Sequence, residues 1–202
     1  MKKQTEKNSK TTGKVDVELL VRRAQAGDIE AFEELVVLYQ DKVYNLSYYL
    51  AGNHADAQDL AQEVFVKAYT GLKGFRLDAD LGTWLHRIAV NLWLNMRRRQ
   101  KAAPALSLDD PVQTDEGEIA RTVAAADPAG DPEDALVGKE LREKVQKALL
   151  SLPEEFRTVL VLREIEEYSY EEIAEMMQCS LGTVKSRLNR ARRALKEMIK
   201  SM

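Results

Sequence analysis

Trp84, Arg87, Asn91, Asn95 and Arg98 recur every third or fourth residue between Thr83 and Arg99. That spacing puts them on one stripe of a helix that Thr83 can cap and that reaches about Arg99. The residue types suit a nucleic-acid surface: arginine holds phosphate, an amide reads a base edge, and an aromatic ring stacks on an exposed base. Phe75 and Arg76 stand just before the stripe, in a loop from Gly74 to Gly82. Pattern alone leaves a plainer alternative equally open. In that alternative Trp84 packs into the core and the arginines are merely solvated, the inward face being Leu85, Ile88, Ala89 and Leu92.

A second group lies near the C-terminus. Ser169-Tyr170-Glu171-Glu172 has the form of a capping box and opens a short helix to Met177. A tight turn through Gln178 and Cys179 leads to Ser180, an N-cap for a last helix from Leu181 to about Ile199. Helix, short turn, basic helix is a helix-turn-helix pattern. Ala174 is the small residue that lets the two helices approach, and Val184 and Leu188 face back toward the first. Gly182, Thr183, Lys185, Ser186, Asn189 and Arg190 are left on the outer N-terminal half, where a recognition helix meets base edges. Arg192, Arg193 and Lys196 come later and suit phosphate. Cys179 reads as a small buried residue of the turn, with no base nearby in sequence to activate its thiol.

The third group is acidic. Asp56, Asp59 and Glu63 form a stripe beside the apolar positions Leu60, Val64 and Ala68 of a helix from about His54 to Leu72. Early acids favour the helix dipole, so a solvated face explains them as well as a docking face does.

Other chemistry finds little support. His54 and His86 stand alone, Cys179 is the single cysteine, and the strings CxxC, HExxH, GxxxxGK[ST] and GxGxxG are all missing from the sequence. No cofactor, metal site or catalytic set is expected. No apolar run approaches the ~18–20 residues of a membrane span, and the lysine-rich stretch Met1–Lys14 has no apolar core of a signal peptide. With one cysteine and no export signal, the expected location is a reducing cytoplasm.

These groups must be positioned by helices. The 202 residues contain only 10 glycines and 5 prolines, which disfavours a turn-rich all-β fold. Helices are expected at Val17–Gln25, at about Ile29–Leu50 with Phe32, Leu35, Val36, Tyr39, Val43 and Leu46 inward and Gly52 closing it, and from an Asn53 cap onward. Glu140–Leu150 follows, and then a helix opened by Ser151-Leu152-Pro153-Glu154. The net charge of −3 hides strong segregation: His86–Lys101 and Ser180–Met202 are basic, whereas Ala102–Gly138 carries nine acids against Arg121. The expected fold is all-α, with two small helical domains at 15–101 and 138–202. A basic tail at 1–14 precedes them, and a mobile acidic linker at 102–137 joins them.

Four strings resemble the extracytoplasmic-function (ECF) sigma factors of the bacterial sigma-70 family. They are Ala24-Gln25-Ala26-Gly27-Asp28, Asp56-Ala57-Gln58-Asp59-Leu60-Ala61-Gln62-Glu63-Val64-Phe65, Thr83-Trp84-Leu85-His86-Arg87-Ile88-Ala89-Val90-Asn91, and Gly182-Thr183-Val184-Lys185-Ser186-Arg187-Leu188. The resemblance covers about Val15–Lys101 and Gly138–Met202, as sigma regions 2 and 4. It implies that Asp56, Asp59, Leu60, Gln62 and Glu63 grip the polymerase β′ clamp. It assigns Phe75, Arg76, Trp84, Arg87, Asn91, Asn95 and Arg98 to the promoter −10 element. Gly182, Thr183, Lys185, Ser186, Asn189, Arg190 and Arg193 go to the −35 element.

It further implies RNA polymerase core (β and β′ subunits), promoter DNA and an anti-sigma factor as partners, with no membrane insertion. This sequence departs from the usual pattern at Gln58 (usually Glu), Asn95 (often Asp) and Gln178 (usually Gly). The rival function is a stand-alone helix-turn-helix regulator, which has no need of a single-strand face in its other domain. A helical hydrolase lacks any convergent His, Ser or metal set.

Overall fold

The computed structural model describes residues 16–102 and 143–201, and every regular element among them is helical. The tail and most of the expected linker lie outside these residues. α1 (Val17–Gln25) is capped by Asp16, whose carboxylate accepts from Leu19 N–H. Asp28 caps α2 (Ile29–Ala51) by accepting from Ala31 N–H at 3.1 Å and from Arg23 Nε at 2.8 Å. The Ala31 amide and Arg23 hold its carboxyl below the ordinary range. α2 ends at Gly52 with φ +86°, a left-handed turn that glycine makes without strain. Asn53 then caps α3 (His54–Gly71), as its sequence position predicts.

A 3₁₀ turn at Leu72–Gly74 leads to α4 (Leu81–Ala102). This helix starts two residues before the expected Thr83 cap. Asp80 takes the capping role instead, accepting from Thr83 N–H at 2.8 Å. A carboxylate at the positive end of the helix dipole outcompetes the hydroxyl.

In the second half, α5 (143–150) precedes α6 (Glu154–Leu160), which continues into a π-helical turn, Val161–Ile165. Ser151 does not form the expected capping box. Its hydroxyl donates back to Lys147 O at 2.8 Å, closing α5, and Pro153 stands at the N-cap of α6 without a side-chain bond. The capping box at Ser169 does form and opens α7 (Tyr170–Met176). Ser180 caps α8 (Leu181–Ser201), accepting from Thr183 N–H at 3.1 Å.

The turn between α7 and α8 places Gln178 at φ +51°. A non-glycine residue there costs roughly 1 kcal/mol. Gln178→Gly is therefore expected to raise the unfolding free energy by up to about 1 kcal/mol, part of the gain being offset by glycine's greater freedom in the unfolded chain. Equilibrium urea denaturation measures it; a loss of stability would show that the Gln178 side chain contributes more than its backbone costs. Cys179, expected inside, is half-buried.

Most inward positions lie where the periodicity puts them. Leu35, Val43 and Leu46 of α2, Leu60, Val64 and Ala68 of α3, and Leu85 and Ala89 of α4 are buried. Phe32, Val36, Tyr39, Ile88 and Leu92 are only partly buried. Tyr69 of α3 stands at the edge of this core. It is 53% exposed and rests edge-on against Phe32.

The two halves are packed together, and their buried side chains form one contiguous cluster. Arg157 of α6, itself buried, links them. Its guanidinium donates at 2.8 Å to Leu50 O at the end of α2 and at 2.8 Å to Leu150 O at the end of α5. It thus satisfies carbonyls at the C-termini of two helices, one from each half. A Cβ at Gly52 would stand 3.1 Å from Arg157 Nη1, so glycine serves both the left-handed turn and this close approach.

Candidate nucleic-acid interface

α4 carries the first candidate face. Trp84 is half-buried, its ring 4.9 Å from that of Phe75, which is itself only 7% exposed. Phe75 is thus the floor beneath Trp84 rather than a surface group. The backbone there is fixed by Gln25, whose side-chain amide donates to Leu72 O and Phe75 O at 2.9 Å each. Arg76 is exposed and pairs with Asp78 at 3.1 Å. Asn91 is half-buried, while Asn95 and Arg98 are exposed, 3.4 Å apart through Arg98 Nη1 and Asn95 Oδ1. Arg87 is engaged by the other half, as Glu175 of α7 accepts from both its terminal nitrogens.

The second face lies on α8. Gly182, Lys185, Ser186, Asn189, Arg190 and Arg193 are exposed, and Thr183 is half-buried. The side chains of Lys185, Arg190 and Arg193 have no ion pair among the described residues, so their charges are available to a polyanion. Thr183 N–H is already given to Ser180 Oγ, and Ser186 Oγ donates to Thr183 O at 3.0 Å. Arg187 and Arg192 are committed, to Glu155 at 2.7 Å and to Glu164 at 2.6 Å. Those pairs tie α8 to α6 and to the turn after it.

The acidic face on α3 consists of Asp56, Asp59, Gln62 and Glu63, all exposed. Asp56 is also part of the cap, accepting from Asn53 Nδ2 at 2.9 Å. Glu63 stands 3.8 Å from Lys67. Leu60 is fully buried, so its part in that face is to seat the helix.

Sequence reasoning missed the groups joining the halves: Arg157, His86, Tyr168 and the acids Glu154 and Glu175. Arg157 had a signal, a charge three residues before Leu160 in an inward stripe. The acids had none, because their partners lie 57 and 88 residues away.

His86 is buried at the junction, with Nδ1 2.9 Å from the Tyr168 hydroxyl and 3.5 Å from Glu166 Oε2. Burial, then Lys42, pushes its pKa down to about 4, against a smaller opposing pull from Asp80. Burial pushes Tyr168 up to about 12 and raises Glu166, which Lys42 partly counters. A histidine with a depressed folded pKa contributes fully above its free value near 6.5. That contribution drains as pH falls toward about 4. Glu166 acts oppositely, binding its proton more tightly when buried. The melting temperature of the parent chain should therefore fall more between pH 7 and pH 5 than that of His86→Gln, which retains Glu166. Parallel melting curves for the two would refute this assignment.

No helix among the described residues is long and apolar enough to cross a membrane. Nor do the described residues place three or more His, Cys, Asp or Glu to hold a metal ion.

A helical half with a mixed arginine–amide–aromatic stripe, joined in one chain to a helix-turn-helix, defines a two-part DNA-binding protein. Comparison with known proteins gives the family. The model for Sigma-70 region 2 matches residues 35–103, and that for Sigma-70, region 4 matches residues 142–195. The chain is 39% identical over 182 residues to the ECF RNA polymerase sigma factor SigW of Bacillus subtilis, covering 90% of this chain and 96% of that one. It is 41% identical over 186 residues to the ECF RNA polymerase sigma-E factor of Escherichia coli, covering 92% and 95%.

Among solved structures it is similar to the sigma factor RpoE from Bartonella quintana in complex with the anti-sigma factor NepR. That match has a TM-score of 0.57 and 28% identity over 84% of this chain and 96% of that one. The fold also matches CnrH in complex with the cytosolic domain of CnrY, with a TM-score of 0.58 and 22% identity over 92% and 99%. The chain belongs to the ECF RNA polymerase sigma factors of the sigma-70 family.

Proposed function

We propose that this chain directs core RNA polymerase to promoters with two elements, reading the −35 element with α8 and the −10 element with α4, and that it helps open the −10 region. The observation that carries this is the pairing, in one chain, of a helix-turn-helix with a second stripe suited to unpaired bases. A regulator that binds only duplex DNA needs the first and not the second. The acidic face at Asp59, Gln62 and Glu63 is the docking surface for the polymerase β′ subunit, with further contacts to β. The −10 set is Trp84, Arg87, Asn91, Asn95 and Arg98, with Arg76 in the preceding loop and Phe75 supporting Trp84. The chain performs no bond chemistry itself and works in the cytoplasm beside the polymerase. An anti-sigma factor, as in the Bartonella complex, is the proposed antagonist.

Permanganate footprinting tests the melting role. Holoenzyme should make thymines of the −10 region reactive, and Asn91→Ala should lose most of that signal on linear duplex while keeping initial promoter binding. Unpaired bases are held by stacking and edge contacts that the closed duplex does not offer. A promoter that stays unreactive with the parent holoenzyme would favour the stand-alone regulator.

A further inference from the structure

The string Ala24-Gln25-Ala26-Gly27-Asp28 belongs to neither the docking face nor the DNA-contacting sets. It forms the turn between α1 and α2, and that turn is tied at both ends. Asp28 accepts from Ala31 N–H and from Arg23 Nε, and its own N–H is given to Arg23 O at 3.1 Å. Gly27, at φ +98°, takes the left-handed conformation that reverses the chain. Gln25 closes α1 within this turn, half-buried. Its Nε2 donates at 2.9 Å to Leu72 O and at 2.9 Å to Phe75 O. Carbonyls only accept, so both bonds require the amide nitrogen of the side chain. Leu72 O also accepts from Phe75 N–H at 3.0 Å, which closes the 3₁₀ turn. Nε2 therefore ties together the two ends of that turn from 47 and 50 residues away in sequence.

Phe75 is the point where the chain leaves this turn for the loop before α4. The loop folds on itself through Ala79 N–H to Arg76 O at 3.3 Å, and its far end is held by the Asp80 cap of α4. Its near end is held by Gln25. We propose that Gln25 is a positioning residue for −10 capture: its amide pins Leu72 O and Phe75 O, so that Phe75, the Trp84 ring above it and the Arg76 loop are arranged to receive an unpaired base before one arrives. The proposal rests on the reading of α4 and its preceding loop as the −10 face. Ordering a loop in advance raises affinity, because that ordering no longer opposes binding. The site is part-buried, so water can replace the lost donors and the fold survives their removal, while the course of the loop is no longer set.

The test uses holoenzyme assembled with the full chain. The probes are two forms of a promoter fragment on which the parent gives a transcript. One is a duplex ending upstream of the −10 region, and the other is a fork in which the −10 non-template strand is unpaired. Gln25→Met keeps the size of the side chain and removes both donors. Its holoenzyme should bind the upstream duplex within about twofold of the parent and the fork at least about tenfold more weakly. Gln25→Glu adds a readout that lost packing does not move. At pH 8 its carboxylate faces two carbonyls, and fork binding should fall as far as with Gln25→Met. Acceptors around a carboxyl raise its pKa. At pH 6 the new carboxyl should therefore hold its proton, donate one O–H, and regain at least about threefold in fork binding relative to the parent at the same pH. Fork binding by both variants close to the parent's would overturn the proposal. So would a loss shared equally by duplex and fork, or a Gln25→Glu defect that does not change with pH. If Gln25→Met melts well below the parent, the pH profile of Gln25→Glu decides alone. Trp84→Ala separates the proposal from the reading beneath it. Fork binding lost with Trp84→Ala but kept with Gln25→Met removes the positioning role alone. Undiminished fork binding by Trp84→Ala removes both, because Gln25 acts through the seat of that ring.

Discussion

Reversing Asp59 and Glu63 to lysine is expected to abolish assembly with core RNA polymerase and to leave the fold intact. Both side chains stand on the outer side of α3, and Glu63 has only a loose surface pair with Lys67 at 3.8 Å. Exposed charges of this kind are worth no more than about 1 kcal/mol each to stability. Their value to a basic partner is larger, because reversal replaces attraction with repulsion at a desolvated contact. Asp56 is left out of the test because it helps cap α3, and its loss would mix folding with docking. Co-elution with purified core polymerase, beside a thermal melt of the free chain, measures both halves of the expectation. Normal co-elution by a double variant that melts like the parent would remove the docking role from this face.

On α8 the expected result is a division between readers and anchors. Arg190→Ala or Lys185→Ala should cost about 1–3 kcal/mol and relax preference at particular −35 base pairs. Arg193→Ala should weaken all promoters alike and lower the salt slope by about one. The structure sharpens the choice of positions. Lys185, Arg190 and Arg193 project free of ion pairs among the described residues, whereas Arg187 and Arg192 are engaged by Glu155 and Glu164. Arg192, which pattern alone offers to phosphate, must first leave Glu164. Thr183 already gives its N–H to Ser180, so its expected effect is on helix start and affinity rather than on base choice. Selections on randomised −35 elements separate the classes. Identical sequence logos from Arg190→Ala, Arg193→Ala and the parent would refute the division.

What could be read from sequence was local. The left-handed glycine at Gly52, the Asn53 and Ser180 caps and the Ser169 capping box depend on residues within a turn of one another, and all four form. Two neighbouring expectations failed for an equally local reason, a nearby competitor. Asp80 displaced Thr83 as the cap of α4, and Ser151 bonded backward to Lys147. The buried stripes of α2 and α3 followed from their 3.6-residue period, because burial of a helix face leaves a periodic trace.

The contact between the halves left no such trace. It is built from single polar residues, Arg87 with Glu175, Arg97 with Glu154 and Arg157 with Leu50 O, each pair separated by dozens of residues. Ion pairing carries no period, and charges on helix surfaces read as solvated faces. Trp84 and Phe75 show the same limit within one half: sequence offers both to DNA, and the fold seats Phe75 beneath Trp84.

The central claim, a polymerase subunit that selects and opens promoters, is tested most directly by run-off transcription with purified core polymerase over a library of genomic promoter fragments. Discrete transcripts are expected that depend on this chain, start a fixed distance downstream of a shared two-part sequence, and vanish with the Asp59→Lys, Glu63→Lys chain. Transcripts that are the same with and without the chain, beside sequence-specific binding of the free chain to duplex DNA, would contradict it.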